Sequence, residues 1–343
     1  MRQVDLRNTD LQTSALGFGC VGLTSHGSID KAMDTLNAAL DSGVTHFDVA
    51  RLYGFGQAEG ILGKFIQGKR DRLTIATKLG LNPPSLPGIG GGGSGGGGLR
   101  KLISIARWMA QKSSIVRKLA RRATASSVQR GMFDPADALK SFETSLRELN
   151  TDHVDLLLLH ECELSDANRE DLIAFLQSET QRGRVRAFGT ATAYAKLQGD
   201  AARWNSAYRV MQFDSNTLEP NITRLANVES RGIINFSVVK DAKAIAERAK
   251  GEPTRTRAAA ERLGVDLNDA SEIAGLMLRD ALAANRAGPV LFASSSPDRI
   301  RQNVVRALTP ITDEERSIFS DFVRQAGTSD RTASSRDGVE PRP

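Results

Sequence analysis

A chain of 343 residues, 40% hydrophobic and 25% charged, has material for one large core; it suits a single α/β barrel, a fold of roughly 250 residues and often more. No run approaches the roughly 20 apolar residues that cross a bilayer, and Met1-Arg2-Gln3-Val4-Asp5 has no secretory apolar core, so the expectation is a cytoplasmic protein without stable membrane insertion. The two cysteines, Cys20 and Cys162, form no C-x-x-C pair, and the four histidines form no H-E-x-x-H, which argues against a disulfide framework and against metal catalysis.

The formal net charge of +6 is unevenly placed. Residues 99–130 hold nine cations and no acid, which leaves the rest of the chain at −3. The basicity belongs to one segment, so no nucleic-acid partner is expected.

In chain order, short apolar runs rich in β-branched residues alternate with segments of helical period, the pattern of βα units on a parallel sheet. Strands are predicted at Leu16–Cys20, Thr45–Asp48, Leu73–Thr77, Val154–Leu159, Val185–Gly189, Val210–Phe213, Ile233–Phe236 and Val290–Phe292. Eight strands of this kind predict a (β/α)8 TIM barrel over residues 1–326. Among the helices, Ile29–Asp41 is amphipathic, Ala58–Ile66 gathers Ile61, Leu62, Phe65 and Ile66 on one face, Pro135 opens Asp134–Leu149, and Asp166–Arg182 stops at Gly183.

Residues 83–130 break this rhythm after the third strand: a proline-rich turn, a glycine run from Gly90 to Gly98 interrupted by Ser94, then a basic amphipathic pattern. The expectation is a flexible insertion that overhangs the mouth of the barrel, its apolar face packed as a flap. The polar stretch 327–343 is expected to be a disordered tail.

Four polar residues stand at or just beyond the C-terminal ends of predicted strands: Asp48, Tyr53, Lys78 and His160. In a parallel barrel those ends converge on one mouth, where active sites are built. Singly each has a structural explanation; together they are a candidate catalytic set.

The run His46-Phe47-Asp48-Val49-Ala50-Arg51-Leu52-Tyr53-Gly54, followed by Glu59-Gly60-Ile61-Leu62-Gly63, resembles the signature after the second strand of aldo-keto reductases, and Thr77-Lys78 and Leu159-His160 resemble the places where that family keeps its lysine and histidine. The resemblance implies reduction of an aldehyde or ketone by a nicotinamide cofactor, with Tyr53 as proton donor, Lys78 lowering its pKa, Asp48 holding Lys78, and His160 orienting the substrate oxygen. It implies cofactor contacts from Gln212, Phe236 and Ser237, and from Ser294, Arg299, Gln302 and Asn303 at the adenosine end, where Pro297 opens a helix. Arg299 favours NADPH; Ala293, in the place of a common lysine, keeps NADH open. Thr192, where the family offers an asparagine, has two readings: a hydroxyl that could make one bond to the carboxamide, or a plain strand end. The partner expected is a small-molecule carbonyl substrate acting on a monomer. Two alternatives are an NAD-linked dehydrogenase of a sugar or other alcohol, and a nucleotide-sensing, partner-binding protein with little turnover.

Overall fold

The computed structural model describes residues 1–83 and 128–333. The strands are β1 (Gln3–Asp5), β2 (Gln12–Ser14), β3 (Leu16–Gly19), β4 (His46–Asp48), β5 (Thr74–Leu79), β6 (Val154–His160), β7 (Val185–Ala191), β8 (Val210–Asp214), β9 (Gly232–Phe236) and β10 (Val290–Phe292). Strands β3 to β10 are parallel and close into a barrel, with β10 paired to both β9 and β3. All eight predicted strands are present, each within two residues of its predicted ends.

Period-two alternation sorts each strand into a face turned to the barrel axis and a face turned to the helices. Ala76, Leu156, Leu158, Ala187, Ala191, Val210, Ile234 and Leu291 pack together inside the barrel, and Leu6 and Leu11 join them. Those two leucines come from the antiparallel hairpin β1–β2, whose turn reaches the N-terminal ends of β9 and β10, against Gly232 and Gly288. The hairpin plugs the barrel floor. Its three-residue strands are too short for periodicity to reveal them.

The surrounding helices are α1 (Ile29–Asp41), α2 (Gln57–Ile66), α3 (Pro135–Leu149), α4 (Leu164–Ala167), α5 (Glu170–Gln181), α6 (Ala242–Lys250), α7 (Pro253–Leu263), α8 (Ala270–Ala284), α9 (Pro297–Leu308) and α10 (Asp313–Ala333). Their ends obey capping rules: Ser28 accepts from Lys31 N, Asp134 from Ala136 N ahead of Pro135, and Asn150 closes α3 in the left-handed region.

Three details depart from the sequence reading. The segment predicted as one helix over 166–182 is split into α4 and α5, because Asn168 turns its side chain away, donating to Arg203 O and accepting from Asn205 N. After β7 and β8 only 3₁₀ turns occur, at Tyr194–Leu197, Ala201–Arg203 and Asn221–Thr223. There the buried Arg231 guanidinium donates to the carbonyls of Ala201, Trp204, Asn205 and Tyr208, satisfying acceptors that a helix would have paired internally. Finally, α10 runs to Ala333, into the stretch expected to be disordered from 327, since extending a helix already anchored by Phe319, Phe322 and Val323 costs little per residue. Residues 334–343 lie outside those described.

The expected insertion also lies outside them from 84 to 127, and its ends meet: Asn82 and Gln129 exchange two backbone hydrogen bonds of 3.0 and 3.2 Å just beyond β5. The plug is the most exposed to test. Leu6→Ala should cost about 2–5 kcal/mol, because the rigid barrel floor cannot collapse around the gap; urea unfolding measures it, and a loss under about 1 kcal/mol would mean the hairpin is dispensable.

Candidate active site

Asp48, Lys78, His160, Gln212 and Phe236 project into the barrel from the C-terminal ends of β4, β5, β6, β8 and β9. With Tyr53 and Ser237 they line one cavity of about 360 Å³, whose remaining wall includes Val21, Val238, Val239, Leu291 and Phe292.

Lys78 is the centre of the cluster. Its buried ammonium donates to Asp48 Oδ1 at 2.5 Å, to the carbonyl of Val49 at 3.0 Å and to the Tyr53 hydroxyl at 3.4 Å. Those are its three protons. Burial opposes the charged amine, but the Asp48 carboxylate and the hydrogen bonds outweigh it, and the Lys78 pKa is raised. Among buried polar atoms, Asp48 Oδ2 is left without a hydrogen bond.

Tyr53 sits on the loop after β4, and its position is enforced from both sides. Gly54, Phe55 and Gly56 all have positive φ, at 58°, 56° and 88°. A Cβ on Gly54 would lie 2.2 Å from Thr24 Cγ2, so only glycine fits that turn. Below the loop the buried Glu59 of α2 accepts from Arg51 Nη1 and from Thr77 Oγ1, both at 2.7 Å, tying loop, helix and β5 together. The phenol responds to burial more than to Lys78: its pKa is raised, opposite to the lowering expected from the ammonium alone.

His160 packs edge-to-face on Tyr53, with ring centroids 6.0 Å apart at 84°. Burial first, then the charges of Lys78, Arg130 and Lys196, push its pKa down to about 3, so the imidazole is neutral. Nδ1 is buried without a partner. One layer below, inward-facing His46 is fully buried, has neither ring nitrogen bonded and is held down to about 4 by burial. Its ring occupies the space a side chain on Gly17 would need.

The residues read as cofactor contacts divide into two groups. Gln212, Phe236 and Ser237 line the cavity, and the Gln212 Oε1 is buried with no donor, a gap that a bound amide N–H fits. Ser294, Arg299, Gln302 and Asn303 are not in the cavity wall; they follow Ala293, which is, on the loop after β10 and the first turns of α9. Ser296 caps α9 by accepting from Arg299 N, and Ser294 Oγ accepts from Ser296 N at 3.2 Å. The Arg299 side chain is exposed, with no ion pair to any described residue. Of the two readings of Thr192 the geometry fits the plain strand end: its side chain is fully buried and its hydroxyl donates to Cys162 O at 3.4 Å, because the residue faces outward from the barrel while Ala191 faces in.

Sequence reasoning missed Glu161 and Lys240, which also line the cavity. Glu161 directly follows inward-facing His160, and Ser237 directly follows Phe236; both have positive φ, 55° and 60°. A left-handed residue just past an inward strand end turns the chain across the mouth, and adjacency to His160 was the available signal for Glu161. Among the described residues no group suited to a metal ion occurs, and no helix is long and apolar enough to span a membrane.

With this geometry in place, the sequence profile of the aldo/keto reductase family matches residues 15–323. The chain belongs to that family. An uncharacterized oxidoreductase of Bacillus subtilis (strain 168), YqkF, is 23% identical over 95% of this chain and 97% of its own; the aldo-keto reductase YhdN of the same organism is 41% identical over 24% of this chain and 27% of its own length. Among solved structures, a glycerol dehydrogenase from Gluconobacter oxydans superposes with a TM-score of 0.67 over 99% of this chain and 98% of its own at 18% identity. An aldo-keto reductase from Klebsiella pneumoniae, solved with NADPH, gives 0.64 over 94% and 96% at 16% identity. Membership carries NAD(P)H-dependent carbonyl reduction as the general chemistry of the family.

Two outcomes test the electrostatics. Lys78→Met strips a buried carboxylate of its counterion and should cost about 3–5 kcal/mol of stability, much of it recovered in the Lys78→Met, Asp48→Asn double variant; urea unfolding of the three proteins decides it, and a double variant no better than the single sinks the pairing argument. Because His46 and His160 stay neutral to about 4 and 3 while unfolded rings titrate near 6.5, the unfolded chain binds more protons as pH falls. Stability should therefore drop between pH 6.5 and 5, above the carboxylate range, by up to ~1.4 kcal/mol per pH unit for each ring, and His46→Leu should remove one ring's share of that slope.

Proposed function

We propose that this protein is an NADPH-dependent reductase of a small aldehyde or ketone in which Tyr53 is the general acid. The observation that carries the reading is the run of contacts from Asp48 through Lys78 to the Tyr53 hydroxyl, ending in a cavity roofed by the apolar and amide groups of β8 and β9. The nicotinamide, when bound, supplies the hydride to the carbonyl carbon. The carbonyl oxygen then needs one proton.

Tyr53 holds that proton. Its raised pKa keeps the phenol neutral until negative charge develops on the substrate oxygen, and the Lys78 ammonium 3.4 Å away stabilises the phenolate left behind. Asp48 anchors the ammonium so that it need not reorganise during the reaction. Neutral His160 can present an N–H to the same oxygen and fix the carbonyl near Tyr53, a positioning role that a ring with so low a pKa performs without competing as an acid.

On the cofactor side, Gln212 Oε1 would accept from the carboxamide and the Phe236 ring offers a stacking face. Ser237 and Lys240 lie beside it, and Ser294, Arg299, Gln302 and Asn303 would hold the adenosine end at the start of α9. The exposed Arg299 guanidinium, which has no ion pair among the described residues, suits a 2′-phosphate. The exposed methyl of Ala293 adds no cation there, which is the observation favouring the second reading, NAD-linked oxidation of a sugar or other alcohol by the same groups run in reverse.

Tyr53→Phe keeps the ring and removes the proton. Its kcat for NADPH-dependent aldehyde reduction should fall by about 10²- to 10⁴-fold with the Kd for NADPH unchanged; steady-state kinetics beside fluorescence titration checks it, and undiminished turnover refutes the assigned acid. Arg299→Ala should weaken NADPH by about tenfold to one-hundredfold while leaving NADH within about twofold; equal loss for both cofactors would remove the case for NADPH.

A further inference from the structure

The connection from β8 to β9 forms a 3₁₀ turn in place of a helix, and a second cavity, of about 220 Å³, lies between that connection, β9, α8 and α10. It shares no lining residue with the reaction cavity. Alternation along β9 turns Ile234 and Phe236 to the barrel axis and Ile233 and Asn235 to the helices, so Asn235 enters this second wall. Asn235 is 2% exposed, its Nδ2 is buried with no partner, and no hydrogen bond reaches its Oδ1 among the described residues. A buried carboxamide with both ends unspent is costly to keep and calls for a partner. In the same wall Asn216 spends its Oδ1 on the N–H groups of Leu218 and Glu219, at 2.9 and 3.0 Å, and its Nδ2 on no described residue.

We propose that this cavity binds a small neutral cyclic amide, of the kind found in a pyrimidine base, through Asn235. The charged groups of the wall are already matched. Asp280 accepts from Arg316 Nε at 3.0 Å and from Thr217 Oγ1 at 2.9 Å, Arg316 Nη1 also stands 3.5 Å from Asp313, and Arg324 donates to Asp321 at 2.7 Å. An ion would find no unmatched counter-charge there. A carboxamide presents one donor and one acceptor side by side, and the N–H and C=O of a ring amide answer both at once, as a base edge answers asparagine. The last torsion of asparagine is broad, so the amide turns either end to the ligand. The unspent Asn216 Nδ2 suits a second ring carbonyl, and Ile222, Ala281 and Ala284 offer apolar contact to the ring. The volume exceeds the roughly 150 Å³ that holds a benzene ring. The inference is independent of the reductase reading, since it uses none of the same groups.

The test titrates uracil and 1,3-dimethyluracil, which keeps the ring and loses both N–H donors, against the full-length protein and two variants by saturation-transfer NMR. Asn235→Leu removes the carboxamide from β9; Ser320→Phe fills the same cavity from α10 and leaves Asn235 in place. The expected result is that uracil binds about tenfold or more tighter than 1,3-dimethyluracil, and that this advantage is lost in both variants. Equal affinity for the two probes in the full-length protein overturns the proposal, because the amide edge then does nothing. So does a uracil signal retained in either variant, which places the ligand elsewhere, and so does the absence of any signal from either probe, which leaves water alone in the cavity.

Discussion

The ion pair between Lys78 and Asp48 sets the terms for the rest of the structure. Both residues are almost wholly buried in a barrel interior that is otherwise largely aliphatic. Taking two such charges out of water costs several kcal/mol per ion, offset only where geometry and further hydrogen bonds are complete. Here Val49 O and the Tyr53 hydroxyl complete the lysine, and each lies on the stretch that follows Asp48. One short piece of chain therefore supplies the counterion, the second acceptor and the phenol.

Much of the surrounding architecture serves to keep that short piece in place. The Arg51–Glu59–Thr77 contacts pin the loop to α2 and β5, three consecutive positive φ angles fold it back over the mouth, and parallel pairing sets β4 and β5 side by side with Asp48 opposite Ala76. The hairpin plug closes the opposite end, so that the buried polar groups of His46, Asp48 and Lys78 sit above packed leucines. On the far side of the barrel the scaffold is looser in design: 3₁₀ turns replace helices after β7 and β8, and one buried arginine satisfies their carbonyls.

The family relationship and the individuality of this chain occupy different parts of the molecule. Structures at 16–20% identity share the fold across nearly the whole chain, as expected when a barrel needs only inward and outward faces of the right character. The particular features lie at the rim: Phe236, Lys240, Ala293 and Glu161 line the cavity, and Thr192 is turned outward. Rim residues sit on loops, where substitution costs the fold little and changes what the cavity touches.

By itself the sequence determined the eight barrel strands, the helices α1, α2, α3 and α5 with the start of α9, the family and the four polar residues at strand ends, because strand period, helix caps and a contiguous signature are local properties. It also placed Gln212 and Phe236, whose inward direction follows from alternation along a strand. Tertiary structure alone decided the rest. The plug is defined by what Leu6 and Leu11 reach, not by their own short strands; the split between α4 and α5 depends on Asn168 finding partners at 203 and 205. The Tyr53 pKa rises because burial, which no pattern of neighbours in sequence records, outweighs an ammonium that the sequence did place nearby. That Thr192 is turned outward and Glu161 lines the cavity has the same kind of reason: what a residue one position past a strand reaches depends on the local backbone, and at Glu161 that backbone is held by hydrogen bonds to Ala191 and Lys196, about 30 residues away along the chain.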